Sequence, residues 1–209
     1  MASQHTSVWA ATAQLPSYAP LTSDTTADVC IIGAGISGLT TAYLLTQVGK
    51  SVVVLDDGAI GSGMTAVTTA HLVNALDDRF FELERLHGER GARLAAQSHT
   101  AAVDRIESIV TRERIACDFT RLDGYLFRAP EHDDEYLERE LAAVHRAGLH
   151  AVTKVPRAPL SFDTGPCLRF PNQAQFHPLK YLAGVAQAIE RGGGRIHTGS
   201  HATKVTGGG

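Results

Sequence analysis

Cysteine is scarce in this chain of 209 residues: Cys30, Cys117 and Cys167 stand far apart and form no CxxC pair. That spacing excludes a disulfide framework and a cysteine-rich metal site, and it fits a reducing compartment. Tryptophan is rarer still, represented by Trp9 alone. No apolar run approaches the ~18 residues that would suggest a membrane span. Residues 1–7 lack the basic and apolar regions of a signal peptide, so the expected location is cytoplasmic. Basic residues are not in excess, because 19 Lys and Arg face 22 Asp and Glu for a net charge of −3. The chain therefore has no field for general nucleic-acid binding. His87, His99, His132, His145, His150, His197 and His201 are scattered, only His197 and His201 standing at an HxxxH spacing, and no metal is expected. What is present, 44% apolar and 20% charged residues, is the composition of a soluble globular chain. The length suits one ordinary domain, or a large domain interleaved with a small one.

Residues 1–27 hold Pro16, Pro20 and nine Ser and Thr residues without periodicity, which reads as an extended arm or a disordered lead-in. Trp9, Leu15 and Tyr18 are the residues able to pin it to the body. Order begins at Asp28. Residues 29–32 form an apolar run expected as a strand buried on both faces, with Cys30 as packing. Residues 36–48 read as a helix with Leu39, Ala42, Tyr43 and Leu45 inward, stopped by Gly49. Residues 51–55 are a second buried strand. Strand, helix and strand in so short a span make a βαβ unit with a parallel sheet.

The texture then changes. Residues 59–72 are small and uncharged, while 78–114 are helical, split near Gly88 and Gly91, with Leu94, Val103, Ile106, Ile109 and Val110 at helical spacing. Residues 119–127 suggest two strands around an Asp123-Gly124 turn. An amphipathic helix follows over 135–146, preceded by the solvated acidic run at 131–135. Residues 156–178 contain five prolines and suggest loops with short strands. Pro178 opens a helix that runs to Gly192, and residues 195–205 return to strand. His177 is expected to be a turn histidine satisfied by backbone. Gly207-Gly208-Gly209 follow that strand directly.

The chemistry is concentrated at Gly33-Ala34-Gly35-Ile36-Ser37-Gly38, a GxGxxG. Glycines in turns are common, but here the motif follows a strand and opens a helix. Gly33 permits the tight turn, Gly35 has no Cβ to block a diphosphate, and Gly38 lets the helix lie close to the strands. The helix N-terminus offers free N–H groups and a favourable dipole to the anion. Asp56 closes the second strand about 20 residues on, where a carboxylate accepts from ribose hydroxyls and repels a 2′-phosphate. A dinucleotide with an adenosine half is the expected ligand. The fingerprint alone leaves NAD and FAD open. The small-residue segment from Gly61 to Leu72 favours a large flat ligand approached by backbone.

Residues 27–72 resemble the amino-terminal module of the FAD-dependent D-amino-acid oxidase, glycine oxidase and sarcosine oxidase superfamily, the DAO family. Cys117-Asp118-Phe119 with Gly124-Tyr125-Leu126-Phe127 resembles the first hairpin of that family's substrate domain. Gln175-Phe176-His177-Pro178 resembles the return to the FAD domain. The Thr68-Thr69-Ala70-His71-Leu72 texture is similar to a bacterial branch that often carries a Rieske domain at its far end, although no cysteine and histidine pair here is spaced for such a cluster. The fold implied is α/β: a Rossmann-like FAD-binding domain with a parallel sheet, interleaved with part of an α+β substrate domain. Its expected parts are an arm (1–27), the first portion of the FAD-binding domain (28–115), a substrate-domain portion (116–176) and a return to the FAD-binding domain (177–209). Because family members are much longer, the chain is expected to represent an amino-terminal portion.

The resemblance implies FAD as cofactor and oxidation of a small amine or amino acid. A hydride passes from the carbon bearing the nitrogen to the flavin, which then gives its electrons to oxygen or another acceptor. Implied cofactor contacts are Gly33, Gly35, Ile36, Ser37 and Gly38 at the diphosphate and Asp56 and Asp57 at the adenosine. Gly63, Met64, Thr65, Thr69, Ala70 and His71 lie along the diphosphate and flavin, and Ala202 at the adenine. His71 either borders the flavin or plays a structural part. No catalytic residue is assigned. The alternatives are an NAD-dependent dehydrogenase and a non-catalytic dinucleotide-binding module completed by a partner chain. Neither a nucleic-acid partner nor a membrane is expected.

Overall fold

The computed structural model describes residues 6–133 and 135–207. Met1–His5, Asp134 of the acidic run and Gly208-Gly209 of the glycine end lie outside them. Seven strands and five α-helices are described: β1 (Val29–Ile32), β2 (Val52–Leu55), β3 (His71–Leu72), β4 (Thr120–Phe127), β5 (Thr153–Val155), β6 (Cys167–Gln175) and β7 (Arg195–His197), with α1 (Val8–Thr12), α2 (Ile36–Gln47), α3 (Phe80–Glu113), α4 (Tyr136–Arg146) and α5 (Pro178–Arg191). They fall into two compact units, one of residues 1–70, 109–118 and 176–209, the other of residues 71–108 and 119–175.

The first unit holds a parallel sheet in the order β1-β2-β7, in which Ile31 lies beside Val54 and Val54 beside Ile196. Helix α2 packs on the face that carries Ile31, Val54 and Ile196, where Ile31 comes close to Gly38. Tyr181 of α5 is fully buried, and its hydroxyl lies 3.2 Å from Thr40 Oγ1 of α2. Burying a side chain of this size contributes about 2–3 kcal/mol of apolar transfer. The first strand departs from expectation. It forms the sheet edge, and alternation turns Cys30 and Ile32 to the face away from the helices, where both are exposed. Cys30 is thus not a core residue.

The second unit is built on an antiparallel sheet with β6 at its centre, β4 on one side, and β3 and β5 on the other. Residues 119–127 do not turn back on themselves. They run as a single strand, and Asp123-Gly124 sits opposite a bulge in β6 at Pro171-Asn172. Asn172 takes φ +61°, which lets one strand carry an extra residue. The same bulge absorbs Pro171, so the proline-rich stretch contains a nine-residue strand rather than loops with short strands. Helix α3 breaks at Gly88, where φ is +70°. Gly91 remains helical, and Leu94 is exposed rather than inward. The core gathers Phe80, Ala92, Tyr136, Leu137, Val144 and Phe170. Among the described residues no helix is long and apolar enough to cross a membrane.

Candidate functional site

Gly33 ends β1 with φ +108°, a left-handed conformation that disfavours any side chain, and its N–H donates to Leu55 O at 2.8 Å. The chain then enters α2 with Gly35 as N-cap, which has no side chain to cap the helix. The first-turn N–H groups of a helix have no partner within it. One of them, Ile36 N–H, donates to Thr65 Oγ1 at 3.2 Å. A Cβ on Gly35 would lie 3.4 Å from that same oxygen. At Gly38 the approach is far closer, because a Cβ there would sit 1.9 Å from Gly33 O. Ser37 is exposed on the opening turn.

Asp56 follows β2 and is half-buried. Its Oδ2 accepts the Ala34 N–H at 2.6 Å, and its Oδ1 accepts the Gly58 N–H at 2.8 Å. Two backbone donors thus orient the carboxylate, and each oxygen keeps a second lone pair. The Asp56 carbonyl accepts the Ser200 N–H at 2.8 Å, which brings the segment after β7 to the end of β2. Asp57 is exposed and lies 3.4 Å from His201 Nδ1. Ala202 is half-buried on this segment, yet it is not on a strand. The expected strand over 195–205 stops at His197, and Gly199 turns the chain with φ +61°.

The uncharged segment is anchored at its start. Gly61 N–H donates to Ala34 O at 3.0 Å, and a Cβ on Gly61 would come within 2.7 Å of Leu179 and Leu182 of α5. A 3₁₀ turn over Met64–Val67 follows, with Gly63 as its N-cap. Thr65 is buried beneath the α2 terminus, whereas Gly63, Met64 and Thr69 are exposed. Ala70 is buried in a left-handed conformation at φ +61°. The first unit thus brings Gly33, Gly35, Ile36, Gly38, Asp56 and Thr65 together. His71 belongs to the second unit, exposed on β3 opposite Gln175.

Sequence reasoning missed Gly58 and Ser200, and it named Trp9 and Tyr18 as pins of the arm without their partners. Asp56-Asp57-Gly58 carried a signal, since an Asp accepting from the N–H two residues on is an Asx turn. The arm is ordered in the described part: α1 is helical, Trp9 Nε1–H donates to Thr68 O at 2.8 Å, and Tyr18 OH donates to Glu190 at 2.8 Å.

His177 is tied in more closely than a turn histidine. Its Nδ1 accepts the Lys180 N–H at 3.3 Å and so caps α5. The ring proton then sits on Nε2, 3.0 Å from Thr12 Oγ1, whose own hydroxyl donates to Val8 O. Burial and then the nearby Lys180 push the His177 pKa down, against a smaller upward pull from Asp118. A lowered pKa means that the folded chain prefers neutral imidazole. Its contribution is therefore complete above the ordinary value near 6.5 and lost as pH falls through the native value. Thermal unfolding followed from pH 7.5 to 5 should show a fall that His177→Asn, which keeps a capping acceptor, makes shallower. Equal slopes for the two chains would contradict this account.

Comparison with known proteins places this geometry. The model of the DAO family, FAD-dependent oxidoreductases, matches residues 28–209. The chain is 35% identical over 203 residues to the Rieske 2Fe-2S iron-sulfur protein YhfW of Bacillus subtilis, covering 94% of this chain and 40% of that protein. It is 29% identical over 210 residues to gamma-glutamylputrescine oxidoreductase of Escherichia coli, covering 97% and 49%. The chain thus spans less than half the length of these curated relatives. Among solved structures, glycine oxidase from Geobacillus kaustophilus shares the fold with a TM-score of 0.66 at 18% identity, over 83% of this chain and 46% of that one. L-amino acid deaminase from Proteus vulgaris does so with a TM-score of 0.68 at 17% identity, over 88% and 48%. The chain therefore belongs to the DAO family of FAD-dependent oxidoreductases rather than to the NAD-dependent dehydrogenases.

Proposed function

We propose that the first unit holds FAD along the turn at Gly33–Gly38, and that the whole protein oxidises the C–N bond of a small amine or amino acid. The residues fit the cofactor. Gly35 leaves the α2 N-terminus without a side-chain cap, and Gly38 packs too closely for any Cβ. In this reading Gly33, Gly35, Ile36, Ser37 and Gly38 face the diphosphate, Asp56 holds the adenosine ribose, and Asp57 and Ala202 lie toward the adenine. Gly63, Met64, Thr65, Thr69, Ala70 and His71 border the remainder. FAD bound there supplies the acceptor for the hydride removed from the carbon bearing the nitrogen. The chain's own part is to bind and orient. The first unit serves as the cofactor domain, and the second, with its antiparallel sheet, as part of the substrate domain. Substrates of this class are supported by the names of the relatives, gamma-glutamylputrescine oxidoreductase among them.

The observation that carries the reading is the Asp56 carboxylate, fixed by Ala34 and Gly58 N–H with lone pairs to spare. Asp56→Asn turns an acceptor into a donor facing one of those N–H groups. FAD affinity measured by titration should fall at least about ten-fold, the scale of one lost charged hydrogen bond. A chain that does not bind FAD, or a variant that binds it unchanged, would overturn the assignment. Amine-dependent bleaching of the flavin in the whole protein tests the reaction itself.

A further inference from the structure

We propose that the amino-terminal arm is part of the cofactor site, with Trp9 a positioning residue that fixes the segment bordering the flavin; this rests on the reading that FAD binds to the first unit. The arm is attached at both ends of that site. At one end the Leu21 N–H donates to Ser200 Oγ at 2.8 Å, and Ser200 N–H donates to the carbonyl of Asp56 at 2.8 Å. Arg195 of β7 reaches Thr25 Oγ1 and the Thr26 carbonyl, and Thr198 Oγ1 donates to Tyr18 O at 2.6 Å. The arm therefore buttresses the turn that meets the ribose-binding acid.

At the other end Trp9 performs the same service for residues 63–70. Its indole N–H donates to the Thr68 carbonyl at 2.8 Å, one residue past the 3₁₀ turn. The indole ring packs edge-on against His177, with ring centroids 5.0 Å apart, and Thr12 Oγ1 meets the Nε2 of that imidazole at 3.0 Å. Trp9 is thus clamped by the capped end of α5, while its one polar atom grips an otherwise exposed loop. An exposed segment of small residues has many conformations to lose on binding a ligand, and a hydrogen bond that pre-orders it lowers that cost. Thr65 beneath the α2 terminus and Thr68 under the indole lie on one short turn, so fixing the second also fixes the first.

Trp9→Phe keeps a ring against His177 and removes only the N–H. At a temperature well below unfolding, the FAD dissociation constant should rise about five-fold, the equivalent of one neutral hydrogen bond. A merely structural role would lower the unfolding midpoint of the FAD-free chain and leave that constant unmoved, which would overturn the proposal. A second measurement needs no variant. Since Trp9 is the only tryptophan, ¹⁵N-tryptophan labelling gives a single indole N–H resonance. Addition of FAD to the unaltered chain should shift it, and an unmoved resonance in a chain that demonstrably binds FAD would reject the role of Trp9. A chain that binds no FAD would instead sink the site reading itself, and the two failures are distinct.

Discussion

Gly38→Ala should abolish measurable FAD retention and destabilise the chain by about 2–4 kcal/mol, the upper range for overpacking a close contact. The added methyl carbon would lie 1.9 Å from Gly33 O, a backbone atom that cannot swing aside as a flexible side chain would. Alanine is worth about 1 kcal/mol more than glycine inside a helix, so propensity pulls the other way and loses to the clash. Relief requires α2 to lift off β1, and that motion carries Gly35 and Ile36 away from Asp56 and Thr65. Gly63→Ala is the matching control. Gly63 has φ −82° and open space where its Cβ would be, so stability of the FAD-free chain should stay within about 0.5 kcal/mol. Chemical denaturation and FAD titration on the two variants separate packing from ligand approach. If Gly38→Ala unfolds at the parental denaturant concentration, the close approach is not what holds the turn.

The legible and illegible parts of this chain divide by the range of the interaction. The β1-α2-β2 unit could be read because every signal for it is local: Gly33 and Gly49 where φ is positive, apolar runs at 29–32 and 52–55, and an inward stripe at Leu39, Ala42 and Tyr43. The turn and Asp56 came with it for the same reason. The strand burial did not, since only the sheet order shows that β1 is an edge and that Cys30 faces outward. Asp123-Gly124 has the composition of a turn, but the partner strand β6 overrides it and moves the irregularity to Pro171-Asn172. The arm was legible as proline-rich and aperiodic. Its attachments run through Trp9 to Thr68 and through Leu21 to Ser200, and nothing in a local window reports contacts so remote in sequence.

Glu140 is the sharpest case of such a remote contact, and replacing it should have one of the largest effects on the second unit. On α4 it reads as one polar residue among many, yet it is only 1% exposed. Its carboxylate accepts the Phe80 N–H at 3.0 and 2.8 Å and the Phe81 N–H at 3.3 Å, so a side chain from one helix caps the N-terminus of another. The positive end of the α3 dipole compensates the buried charge. Burial still raises the Glu140 pKa, opposed by these N–H groups and by Arg79. Glu140→Ala would leave buried donors unsatisfied beside a new void, and about 3 kcal/mol of unfolding free energy should be lost. Glu140→Gln keeps one acceptor oxygen and should cost about 1 kcal/mol. The two also differ with pH. A carboxyl whose native pKa is raised contributes fully below its unfolded value near 4.5 and gives that contribution back as pH climbs through the native value. Glutamine has no such transition, so the gap between the wild-type chain and Glu140→Gln should narrow as pH rises from 4 to 7. A gap that widens over that interval would mean that the ionised carboxylate is more at home at the end of α3 than its burial allows.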